Sequence, residues 1–80
     1  MKRKDYFETK RYIKSLCKGN ILELCDDVGL NNYETKLIIH INKDSTRIQT
    51  ALDVGVCESK ISKDNKKIMT KIFDHLKRQH

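Results

Sequence analysis

Thr50-Ala51-Leu52-Asp53-Val54-Gly55-Val56, with Ile61 five residues beyond, is the stretch on which the reading of this chain turns. Two short helices that cross steeply need a small residue where the second leans on the first, and a turn residue that tolerates positive φ. Ala51 and Gly55 supply both, four positions apart. Val54 and Val56 straddle the glycine and are expected to point inward, with Ile61 anchoring the second helix from the same side. This spacing predicts a helix-turn-helix around Thr46 to Lys67. The free face of its second helix reads Glu58, Ser59, Ser62, Lys63, Lys66 and Lys67. Serine and glutamate hydrogen-bond base edges, whereas lysines neutralise phosphates and fix the register, so such a helix suits the major groove of DNA.

Working outward, Ser45 is a favourable cap for the first of these helices, which carries Ile48, Ala51 and Leu52 as its apolar set and stops near Gly55. Before the turn at Asn42, Lys43 and Asp44, a helix over about 32 to 42 is expected from Tyr33, Leu37, Ile38 and Ile41. Asn31 and Glu34 form its capping box. Downstream, no Gly or Pro interrupts Glu58 to Arg78, and Ile61, Ile68, Ile72 and Leu76, with Met69 and Phe73 beside them, make one apolar stripe. Ser62 to Lys67 contain no apolar residue, so the helix either stands proud of the core there or breaks near Asp64; a continuous helix is preferred. Towards the N-terminus, a helix capped by Asp5 runs through Tyr6, Phe7, Tyr12, Ile13, Leu16 and Cys17 to Gly19. A second, capped by Asn20, carries Ile21, Leu22, Leu24, Cys25 and Val28 and ends at Gly29. The expected fold is all-α, a compact bundle of about five helices in a single domain over 1–80. Residues 1–30 form its N-terminal helices, and 31–80 the DNA-binding part.

Composition agrees with this. Eighty residues, 38% hydrophobic and 35% charged, with three Gly and no Pro, are expected to fill one core and no second domain is expected. No apolar run approaches the ~18 residues a bilayer span needs, and Met-Lys-Arg-Lys leads into Asp5 and Tyr6 rather than into a signal-type stretch, so a cytoplasmic, membrane-free protein is expected. Cys17, Cys25 and Cys57 are odd in number and widely spaced, which reads as buried reduced thiols. His40, His75 and His80 lack the spacing of a metal set, and neither metal nor cofactor is expected.

The net charge of +6 and pI near 9.3 favour an acidic partner. Its distribution is segregated. Residues 1–18 carry seven basic and two acidic groups, 19–55 three and six, and 56–80 seven and three, so two basic ends flank an acidic middle. A coat of unspecific positive charge would not be built this way. Without a glycine-rich phosphate loop, a metal-ligand pair or a recognisable nucleophile and base, catalysis is not expected. RNA binding is disfavoured because the reading segment holds no aromatic stacking surface, Phe73 being the only nearby ring.

With Leu30, Ala51, Val54-Gly55-Val56, Ile61, Ile68, Met69 and Ile72 in their places, the chain from Leu30 to Leu76 resembles the sigma-70 region 4 type of helix-turn-helix, a family that includes small phage and mobile-element transcription regulators. The resemblance implies double-stranded DNA as partner, with the contacting helix start at Glu58, Ser59, Lys60, Ser62 and Lys63, and RNA polymerase as a second partner. The chain departs from that pattern at Thr50, where an Ile is usual, at Cys57, where a capping Ser or Thr is usual, and at Asp64, where another apolar anchor is usual. Helix-turn-helix proteins this small commonly pair over two half-sites, and the first helix, with Tyr6, Phe7, Tyr12, Ile13 and Leu16, is the expected homodimer contact unless it closes the monomer core. The rival to a sequence-specific DNA-binding transcription regulator is a non-enzymatic helical adaptor that holds a protein, RNA polymerase among the candidates.

Overall fold

In a computed structural model the chain is described over residues 2–78; Met1, Gln79 and His80, the last one of the histidines weighed above, lie outside. The described residues form helices α1 (Arg3–Ser15), α2 (Lys18–Val28), α3 (Asn32–Asn42), α4 (Arg47–Val54) and α5 (Glu58–Arg78), with no strand among them. Their Cα radius of gyration, 11.8 Å, is close to the ~12 Å of a compact chain of this length. None of these helices is long and apolar enough to cross a membrane.

One core joins all but the shortest helix directly. Ile13 from α1, Ile21, Leu24 and Cys25 from α2, Leu37, Ile38 and Ile41 from α3, and Ile61, Ile68, Met69 and Ile72 from α5 are buried together. Residues 1–30 and 31–80 thus share a single interior. The long helix α5 is the axis, with α1, α2, α3 and α4 all packed against it. The helix continues without a break, as preferred, and the gap in its apolar stripe is filled by polar means: the Tyr33 hydroxyl donates to Asp64 Oδ2 at 2.6 Å, and Lys60 pairs with the same oxygen at 3.1 Å. This answers the departure at Asp64, where a carboxylate with two partners occupies a half-buried place that an apolar side chain would otherwise take.

The local signals at α3 hold as expected: Asn31 accepts from the Glu34 amide at 2.8 Å, and Glu34 returns the bond to Asn31 N–H at 3.3 Å. Gly29 closes α2 at φ 82°. Several boundaries and orientations differ from expectation. The residue before α1 is Lys2, and Asp5 lies in the first turn instead of capping it. Gly19 does not stop α1: the helix ends at Ser15, because Asn42 reaches across from α3 and donates both amide hydrogens to the freed carbonyls of Ile13 (2.8 Å) and Leu16 (2.9 Å). Gly19 and Asn20 are then absorbed into α2, whose cap is Cys17. Thr46, not Ser45, caps α4, since Ser45 is engaged by His40.

The face of α4 also differs. Ile48 and Leu52 are exposed by 59% and 79%, and the inward residues are Thr50, Ala51 and Val54. Thr50 is buried at the Ile position of the resemblance and donates its hydroxyl to the Thr46 carbonyl at 3.0 Å, which removes the cost of an unsatisfied polar group. The expectation of three buried thiols is corrected to one. Cys25 is buried, with its thiol pKa pushed up by burial, while Cys17 and Cys57 precede helices at exposed positions.

Candidate nucleic-acid interface

The helix pair α4–α5 is built from local rules. Thr46 Oγ1 accepts from the Gln49 amide at 3.1 Å and Gln49 Oε1 accepts from Thr46 N–H at 2.9 Å, a reciprocal cap that starts α4. Gly55, at φ 74°, ends it, donating to the Ala51 carbonyl at 2.9 Å, and Val56 N–H reaches the same oxygen at 3.3 Å. The left-handed turn is the one predicted for this glycine. After residues 55–57 the Ile61 N–H closes the first turn of α5 onto the Cys57 carbonyl. Val54 and Val56 pack against the core and Ile61 is fully buried, as their spacing predicts.

A tie not read from the sequence fixes α4 against α3. His40 Nε2 lies 2.8 Å from Asp53 Oδ2 and Nδ1 lies 3.0 Å from Ser45 Oγ, so one imidazole holds both the approach to α4 and its last turn. An ionised Asp53 only accepts, so Nε2–H is the donor, leaving Nδ1 to accept from the Ser45 hydroxyl while the ring is neutral. The bond from His40 keeps the Asp53 carboxyl below its usual range. Among the described residues no three His, Cys, Asp or Glu side chains gather in a way that would hold a metal ion.

The structure sorts the seven expected contact residues into two groups. Ser59, Ser62, Lys63 and Lys66 recur at the three- and four-residue spacings of one helix face, and with Glu58 at its rim they line one shallow concavity of about 510 Å³. Arg47, in the first turn of α4, closes it from the other side. Lys60 is turned away: it pairs with Asp64 and sits 5.6 Å from the centre of the Tyr33 ring. Lys67 is exposed and acts on Asp64 through space, also on the α3 side. Arg47, Lys63 and Lys66 make no ion pair among the described residues, unlike Lys14, Lys60 and Lys71, which hold Asp44, Asp64 and Glu34. Three unpaired cations around two serines form a local positive field with donors at its centre.

Sequence reasoning missed Arg47 because it belongs to the preceding helix, and only the α4–α5 packing brings it beside Lys63 and Lys66. It also missed a neighbouring groove of about 720 Å³, where α1 comes alongside α5. Arg3 and Phe7 line one wall, Ser62, Lys66 and Thr70 the other, and Arg47 the end. The Phe7 ring is 51% exposed, with Arg3 5.5 Å from its centre and Tyr6 against it edge to face at 6.0 Å between ring centres. The reading segment itself holds no ring, but the fold supplies one to its flank. No family model, curated protein or solved structure matches the chain.

Proposed function

We propose that this protein is a sequence-specific, cytoplasmic DNA-binding transcription regulator of the sigma-70 region 4-like kind, laying the N-terminal half of α5 in the major groove of duplex DNA. The observation that carries the reading is the convergence of Arg47, Lys63 and Lys66, none of them in an ion pair, around Ser59 and Ser62 on an exposed helix face. Side chains of about this length reach base edges when a helix enters the groove, and the cations take the phosphates alongside. Ser59, Ser62 and Glu58 carry the discrimination; Lys63, Lys66 and Arg47 carry affinity. Lys60 and Lys67 contribute field from the α3 side.

Selection from a randomised pool of short duplexes at ~150 mM salt tests this directly, with a Lys63→Ala/Lys66→Ala variant in parallel. A discrete motif that the variant fails to enrich is the expected result, and half-site repeats in it would reveal the pairing of two copies. The homodimer belongs to the proposal, but not through a continuous face of α1: Tyr6, Ile13 and Leu16 pack into the core, while Phe7 and Tyr12 fall on opposite flanks of that inward line. Absence of any motif would favour the second reading, a protein adaptor. That reading has its own observation, the apolar pair Ile48 and Leu52 one turn apart on the outer side of α4. RNA polymerase is the partner the family resemblance suggests for it, and Leu52→Glu, at an exposed position, would then abolish polymerase binding and leave the fold intact.

A further inference from the structure

We infer that the groove between α1 and α5 is the seat of a DNA sugar–phosphate backbone, which makes the N-terminal helix part of the nucleic-acid interface. The inference rests on the DNA reading above and deepens it. A helix with its side chains is about as wide as the major groove, ~10–12 Å against ~12 Å, so the two backbone walls of the groove must run along the helix flanks. On the flank of α5 that faces α1, the backbone meets Arg3, Arg47 and Lys66, and no acidic residue lines this groove.

The rest of the lining matches a backbone as well. With Ser62 turned to the base edges and the Thr70 hydroxyl committed to the Lys66 carbonyl at 2.9 Å, the phosphates here are met by the cations and not by hydroxyls. The exposed face of Phe7 is apolar and sits among the cations, where a deoxyribose lies between successive phosphates. Alternation of cation, ring and cation is the complement of phosphate, sugar and phosphate. Guanidinium groups supply planar paired donors to each phosphate, which a lysine does not.

The test is the salt dependence of binding to a short duplex of mixed sequence, comparing the intact chain with Arg3→Ala/Arg47→Ala, Phe7→Ala and a control, Lys18→Ala/Lys36→Ala, that removes the same charge from exposed positions outside the groove. Loss of two phosphate contacts lowers the slope of log affinity against log salt by about 2 in the arginine variant and leaves it unchanged in the control. Phe7→Ala weakens binding roughly tenfold with an unaltered slope, as expected for lost apolar contact. All altered side chains are exposed, so equal thermal midpoints exclude unfolding as the cause. Arg47 also lines the reading face, so an arginine variant whose slope falls by only about 1, with no share from Arg3, while Lys63→Ala/Lys66→Ala loses its own, overturns the groove assignment and leaves the DNA reading intact. Tighter binding of the single strand than of the duplex would also overturn it, because the ring would then be stacking on bases. If the intact chain binds no duplex at all, the DNA reading fails first and the groove assignment with it.

Discussion

The two halves of α5 are one uninterrupted helix with opposite tasks. From Ile68 onward it is held by Ile68, Met69 and Ile72, all essentially without exposed surface, and by Leu76 beside them. Before that only Ile61 is fully buried; the remaining inward positions are Asp64, tied to Tyr33 and Lys60, and Asn65, whose Oδ1 is buried with no hydrogen-bond partner among the described residues. The C-terminal half buys stability through burial of large apolar side chains. The N-terminal half, held by one isoleucine and a polar tie, leaves its outer face free to meet a ligand. A functional surface in so small a protein is created by anchoring a helix at one end.

Ile72→Ala should be the most damaging change to stability, costing roughly 2–5 kcal/mol in denaturant unfolding, because Ile72 has no exposed surface in the core that α1, α2, α3 and α5 share. A cost below about 1 kcal/mol would remove the distinction between the halves. Gly55→Ala comes next, at roughly 1–2 kcal/mol. A methyl group there meets nothing within 4 Å, so the cost is the left-handed backbone at φ 74° and not a clash. Tyr33→Phe removes the donor to Asp64 and should cost about 1 kcal/mol, with amide exchange quickened in residues 58–67 more than in 68–76.

The same tie sets the response to pH. The Asp64 carboxyl is held below its usual range, chiefly by the Tyr33 hydroxyl, so its contribution is complete above ~4 and is lost as pH falls through the lowered folded value. Asp53, held by His40, and Asp44, held by Lys14, act in the same direction. Burial, with the bond to Asp64, pushes Tyr33 up to about 12 from 10.0, so its contribution is complete below 10 and is lost as pH rises towards 12. Urea midpoints should therefore fall at both extremes, and Tyr33→Phe should flatten the alkaline limb. The smallest effect on stability belongs to Lys63→Ala/Lys66→Ala, within about 0.5 kcal/mol, although DNA affinity should change most there.

What was legible in the sequence was what local rules decide. The Asn31–Glu34 cap, the Gly29 and Gly55 stops and the Ile61–Ile72 stripe are written in neighbouring residues, and the helices they imply are present. The misreadings have distant causes. No local signal says that Asn42 ends α1, because the carbonyls it caps lie 26 and 29 positions away. Ile48 and Leu52 resemble a core stripe, yet the rotation of α4 is set by the Ala51–Gly55 joint and the His40–Asp53 tie, which turn Thr50 inward instead. Of the candidate site, the face of Ser59, Ser62, Lys63 and Lys66 was legible from helical spacing alone. Arg47, Arg3 and Phe7 were not, since they come to that face only through the packing of α4 and α1 onto α5.

The most direct test of the central claim is a map of backbone amide shifts in the ¹⁵N-labelled protein as a short mixed-sequence duplex is added. The account predicts the largest changes at Arg47, Ser59, Ser62, Lys63 and Lys66, with little change from Lys71 to Leu76. Shifts confined to residues 48–52, with none on α5, or no shifts at all, would contradict it.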